Sequence, residues 1–112
     1  MQASVETTFA VLGDPQRKAV VDLLCKEPRR AGEIADQLGV TPAALSRHLR
    51  ALRRSGLIAE TGIETDARVR IYSLRKEPFD QMRDWVDQVQ QFWAGQLTAY
   101  AEHVKRSTRR KL

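Results

Sequence analysis

Apolar residues recur at helical spacing through most of this chain and alternate strand-fashion only over two short stretches past its midpoint. The first helix is predicted from Ala3 to Leu12, with Val5, Phe9 and Leu12 on one side and Gly13 interrupting it. Asp14-Pro15 opens a second helix, because Asp caps free amides and Pro suits the first helical position. Val20, Val21, Leu23 and Leu24 form its apolar side, and Pro28 is read as its stop. A short third helix is predicted from about Gly32 to Leu38, carrying Ile34, Ala35 and Leu38. Its start is poorly capped, since Arg29-Arg30-Ala31 offers no Ser, Thr, Asn or Asp. Gly39-Val40 makes a tight turn, and Thr41-Pro42 begins a fourth helix that runs to about Arg54 and leaves through Ser55-Gly56. Two short strands are predicted, Leu57 to Thr61 and Arg68 to Leu74, joined by the polar loop Gly62 to Ala67. Pro78 then introduces a long last helix from about Phe79 to Val104. The order α-α-α-α-β-β-α is mainly helical with a small β-hairpin, which is the winged helix-turn-helix arrangement with a helix added at each end. Residues 1–104 are read as that domain and 105–112 as a basic C-terminal tail.

The fourth helix carries the functional argument. At about 100° per residue, Leu45, Leu49 and Leu52 share one narrow stripe and face the core. Ala43, Arg47, Arg50 and Arg54 fall on the opposite stripe, with Ser46 and Arg53 to one side. Small residues at the N-terminal end and a cationic outward face suit a helix that enters the major groove of DNA. Arg47 is the base-reading candidate, with Thr41, Pro42, Ala43 and Ser46 shaping the close contact. Arg50, Arg53 and Arg54, further along, are phosphate candidates. His48 lies beside the leucine stripe and reads as a half-buried packing residue.

Charge sharpens this reading. The chain has 112 residues, a formal net charge of +5 and an apolar share of 42% against 29% charged, as expected of one globular domain with an anionic partner. No acidic residue falls between Gln37 and Ala59, where the four arginines sit. Lys105, Arg106, Arg109, Arg110 and Lys111 form a second basic cluster, read as a solvated extension or as a further phosphate contact. No run approaches the roughly 18 apolar residues of a membrane span, and the start has no signal-like pattern, so a cytoplasmic protein is expected. Cys25, the single cysteine, agrees with a reducing compartment.

Five stretches resemble the ArsR family of bacterial repressors: Val11-Leu12-Gly13-Asp14-Pro15-Gln16-Arg17, Glu33-Ile34-Ala35 through Gly39-Val40, Leu45-Ser46-Arg47-His48-Leu49-Arg50-Ala51-Leu52, Ser55-Gly56-Leu57-Ile58 and Tyr72-Ser73-Leu74. The likeness spans roughly residues 5 to 100. It implies a two-fold dimer built from the first and last helices, binding double-stranded operator DNA with inverted repeats. Pro42, Ala43, Ser46 and Arg47 match the base-contacting places, and Arg68 and Arg70 would contact backbone or minor groove from the wing. Glu60, Glu64 and Asp66 depart from this by setting carboxylates on the wing, where they repel phosphates.

Metal sensing, common in this family, finds no ligand set. Residues 31 to 40 lack cysteine, and the last helix offers Asp84, Asp87 and His103 in neither expected spacing. No cofactor is expected, and no nucleophile-base pair or phosphate loop suggests an enzyme. Phe79, Met82, Val86, Val89, Trp93, Leu97 and Tyr100 recur at spacings of three and four, with Trp85 and Phe92 beside them. With Val5 and Phe9 they make the expected homodimer interface. Three alternatives stay open: a pocket for an apolar effector among the aromatics, oxidation of Cys25 as a switch against an inert packed thiol, and a module that binds partner proteins.

Overall fold

A computed structural model describes residues 4–63 and 66–111, excepting the side chains of 63, 66–68 and 109–111. Helix α1 (Val5–Leu12) is followed by α2 (Pro15–Leu24), strand β1 (Arg29–Arg30), α3 (Ala31–Leu38), α4 (Pro42–Arg54), the strands β2 (Ile58–Ile63) and β3 (Asp66–Leu74), and α5 (Lys76–Lys111). Two compact units divide the chain, Met1–Gln81 and Met82–Leu112, and α5 belongs to both.

Helix starts follow the capping chemistry. The Ser4 hydroxyl accepts from Thr7 N, and the Asp14 carboxylate accepts from the N–H groups of Gln16 and Arg17. At α4 the Thr41 hydroxyl accepts from Ala44 N at 3.2 Å, with Pro42 in the first turn. Helix α3 begins at Arg30 without a side-chain cap and exits through Gly39, whose φ of 65° is left-handed. Helix α4 exits through Ser55 and Gly56, the latter at φ 77°, and Leu57 N then donates to Leu52 O at 3.0 Å.

Three features depart from the sequence-based expectation. Helix α2 ends at Leu24, before Pro28, because the chain turns at Cys25 and Lys26 and the Arg29 guanidinium donates to the Leu23 carbonyl at 3.3 Å. Strand β1 adds to the hairpin, so the sheet is three-stranded and antiparallel in the order β1-β3-β2. Arg29 faces Tyr72 and Arg30 faces Ile71 across it. Finally, α5 starts at Lys76, since a proline within the first helical turn sacrifices no bond, and it runs to Lys111 rather than stopping near Val104.

The core of the first unit draws Val20, Val21 and Leu24 from α2, Ile34 and Ala35 from α3, and Leu45, Leu49 and Leu52 from α4. Leu57 and Ile58 close it at the entry to the hairpin, and Phe79 packs against its edge. Burying leucines at about 1.5–3 kcal/mol each fixes which way α4 is turned. Its opposite face is thereby left to solvent.

A candidate nucleic-acid interface

On α4 that outward face is the one the sequence predicts. Thr41, Pro42, Ala43, Ser46, Arg47, Arg50, Arg53 and Arg54 are all exposed, while Leu45, Leu49 and Leu52 are buried. The small side chains lie at the N-terminal end and the guanidinium groups follow, so the first turns can approach a surface closely. Between α3 and α4 runs a cleft of about 230 Å³ whose walls include Gly32, Pro42, Ser46 and Arg50.

His48 is half-buried, as expected, and it also has a polar role. Its Nε2 lies 2.7 Å from Gln16 Oε1, tying α4 to the first turn of α2. Beside it, Arg17, Ala44 and Arg47 complete an open depression. The Arg17 backbone N–H, more than any other group, lowers the Asp14 carboxyl below its ordinary value, so the α2 cap is an anion at neutral pH.

The wing departs from a plain row of phosphate contacts. Glu60 on β2 is a half-buried carboxylate with three partners. Arg53 Nη1 sits 2.6 Å from Oε2, Arg70 Nε sits 3.2 Å from Oε1, and the Tyr72 hydroxyl donates to Oε2 at 3.3 Å. Arg53 and Arg70 are therefore shared with a carboxylate instead of standing free toward solvent. The Arg70 guanidinium also lies over Gly62, where an added Cβ would come within 2.5 Å of Nη1. Burial, reinforced by the neighbouring Glu60 charge, raises the Tyr72 phenol above its ordinary value. The Arg68 side chain, with those of Glu64 and Asp66, lies outside the described residues.

Sequence reasoning treated Glu60 as a repeller of phosphate and missed that it is a partner. The signal was the strand register: Glu60 pairs with Tyr72 and Gly62 with Arg70, which makes Glu60 and Arg70 diagonal neighbours. That register needs the hairpin to be aligned first.

Residues proposed for self-association fall into separate settings. Val5 is half-buried and Phe9 exposed on α1, and Phe79 packs against the first unit's core. In the second unit Met82 and Val89 are half-buried, whereas Val86, Phe92, Trp93, Leu97 and Tyr100 are exposed. The rings of Phe92 and Trp93 meet edge-on with centroids 5.8 Å apart. Cys25, expected to be packed, is exposed at the end of α2. Among the described residues no three His, Cys, Asp or Glu side chains converge as metal ligands would, and no helix is long and apolar enough to cross a membrane.

Comparison with known proteins places this geometry. The model for the bacterial regulatory protein, arsR family, matches residues 14–60. The chain is 31% identical over 99 residues to the HTH-type transcriptional regulator Rv2034 of Mycobacterium tuberculosis, covering 88% of this chain and 87% of that protein. It is 29% identical over 56 residues to the transcriptional repressor SdpR of Bacillus subtilis, covering 50% of this chain and 62% of that one. The crystal structure of the ArsR family transcriptional regulator RHA00566 superposes with a TM-score of 0.71 at 29% identity, over 80% of this chain and 94% of that one. With the buried leucine stripe, the cationic face of α4 and the three-stranded wing, these likenesses establish that the chain belongs to the ArsR family of winged helix-turn-helix, DNA-binding transcriptional regulators, and is not an enzyme.

Proposed function

We propose that this chain is a cytoplasmic homodimeric repressor that binds an inverted-repeat operator without a metal cofactor. The carrying observation is the exposed face of α4, where Pro42, Ala43, Ser46 and Arg47 precede Arg50 and Arg54 opposite a buried leucine stripe. Helix α4 lies in the major groove in this reading, with Arg47 on a base edge and Arg50 and Arg54 on phosphates. The wing follows the backbone from the strand position of Arg68, while Arg70 stays paired with Glu60. Exposed aromatic residues on α5 supply the surface for a second copy, which an inverted repeat requires. Likeness to a repressor from Bacillus subtilis supports repression, achieved by covering promoter DNA. Independence from metal is supported by the lack of cysteine in residues 31–40 and by the single histidine, His103, on α5.

The test is selection of duplexes from a random library by the purified chain at about 150 mM salt. An inverted repeat with half-sites about one helical turn apart, or a multiple, is expected. Repeating the selection with Arg47→Ala should relax preference at one base pair in each half-site and cost about 1–3 kcal/mol. Unchanged selectivity removes Arg47 from the reading role. Recovery of nothing by the wild-type chain removes the operator reading and favours a module that binds protein partners.

A further inference from the structure

The chain's cations outnumber its anions around the far end of α4, yet one carboxylate has been placed among them. Arg50, Arg53, Arg54 and Arg75 line an open depression of about 520 Å³ on which, among the described residues, Glu60 is the single acidic one. Glu60 is only 18% exposed, and both of its oxygens are engaged. One holds Arg53 of the recognition helix together with the Tyr72 hydroxyl, and the other holds Arg70 of the wing. To a guanidinium group, a carboxylate and a phosphate are equivalent partners, each accepting charge-assisted hydrogen bonds from the same planar fork. A carboxylate already seated between two guanidinium groups therefore occupies donors that any passing phosphate would otherwise take.

We propose that Glu60 is a positioning residue that limits the chain's sequence-independent grip on DNA. It holds Arg53 and Arg70 to each other and occupies donors on both guanidinium groups, so neither is free to neutralise a phosphate and the recognition helix and wing meet the duplex braced together. Tight binding then depends on the first turns of α4, where Ser46 and Arg47 are exposed, and less on backbone contacts that every sequence offers. This rests on the reading of α4 and the wing as the DNA-facing surface.

The experiment measures binding of the full chain to a random-sequence duplex by fluorescence anisotropy across a salt series. Each guanidinium that newly neutralises a phosphate steepens the slope of log K against log salt by about 0.9. Glu60→Gln is expected to steepen the slope by about one to two and to tighten binding roughly three- to tenfold at about 0.1 M salt. Adding Arg53→Gln or Arg70→Gln to Glu60→Gln should return the slope toward the wild-type value. Arg70→Gln alone, with Glu60 still holding Arg53, should change the slope by well under 0.9. That variant keeps the proposal testable if Glu60→Gln fails to fold. Two results would overturn it: an unchanged slope in Glu60→Gln, or a full loss of about 0.9 in Arg70→Gln alone. A brace with no electrostatic role would lower affinity at constant slope, which also counts against it. The operator reading is judged on the wild-type chain by selection, so its failure is seen separately from a failure of the Glu60 variants on random DNA.

Discussion

At the scale of single residues, the meeting of Glu60, Arg53, Arg70 and Tyr72 changes how the wing is understood. Counting charges on the sequence sets arginines against carboxylates as independent surface groups. Folding puts them in contact, and Tyr72 reports that contact through its ionisation. Burial and the Glu60 carboxylate both disfavour the phenolate, so the folded state holds the Tyr72 proton more tightly than the unfolded chain does. A group whose folded pKa is raised contributes stability that is intact below its unfolded value of about 10 and is lost as pH rises through the folded value. Between about pH 9 and pH 11, urea midpoints of the wild-type chain should therefore fall more steeply than those of Tyr72→Phe. In Glu60→Gln the excess steepness should shrink, because the nearby negative charge has gone. Parallel curves for wild type and Tyr72→Phe would mean that the phenol feels no such environment in the folded chain.

Secondary-structure elements test a different part of the reading. The turn between α3 and α4 sets how the recognition helix leaves its scaffold, and Gly39 makes it at φ 65°. A Cβ added at Gly39 meets nothing within 4 Å, so its cost is backbone strain alone. Gly39→Ala is expected to lower unfolding stability by about 1–2 kcal/mol in urea titrations. Gly39→Asn, which tolerates the left-handed region better, should cost visibly less. Equal losses for the two would place the cost in packing instead. This turn was legible in the sequence, as were the starts of α2 and α4, because Asp14-Pro15 and Thr41-Pro42 carry their capping chemistry locally. What was not legible depends on partners distant in the chain. The end of α2 is set by Arg29 reaching the Leu23 carbonyl, and β1 exists only because Arg29 and Arg30 pair with β3. Pro78 looked like a boundary but sits inside the first turn of α5, where its missing N–H has no partner to lose. The face of α4 was read correctly because three leucines at helical spacing leave one orientation that buries them all. The wing was read less well, since its side-chain partners follow from strand register, and its Arg70 turned out to share a carboxylate with Arg53 of α4.

For the whole molecule, the telling quantity is the apolar surface on α5. Phe92, Trp93, Leu97 and Tyr100 are 60–68% exposed, and Val86 and Val104 lie along the same helix. Soluble chains rarely leave this much aromatic and aliphatic surface in one row unless something covers it. In the proposed reading the occupant is a second copy, since an isologous interface presents the same seam twice and would match an inverted-repeat operator. Large aromatics in such seams carry a disproportionate share of the binding energy. Trp93→Ala is therefore expected to weaken association on the order of 3–5 kcal/mol, a hundredfold or more in the dissociation constant. Sedimentation equilibrium from micromolar to nanomolar concentration would read this directly. The consequence for DNA separates interface from mere stability. A chain that has lost its partner keeps α4 intact, so binding to random duplex should change little per protomer. Binding to an inverted repeat should fall steeply, because two half-sites no longer share one binding event. Intact Trp93→Ala dimers at nanomolar concentration would exclude this seam as the interface. Loss of both kinds of DNA binding together would instead show that Trp93 supports the fold.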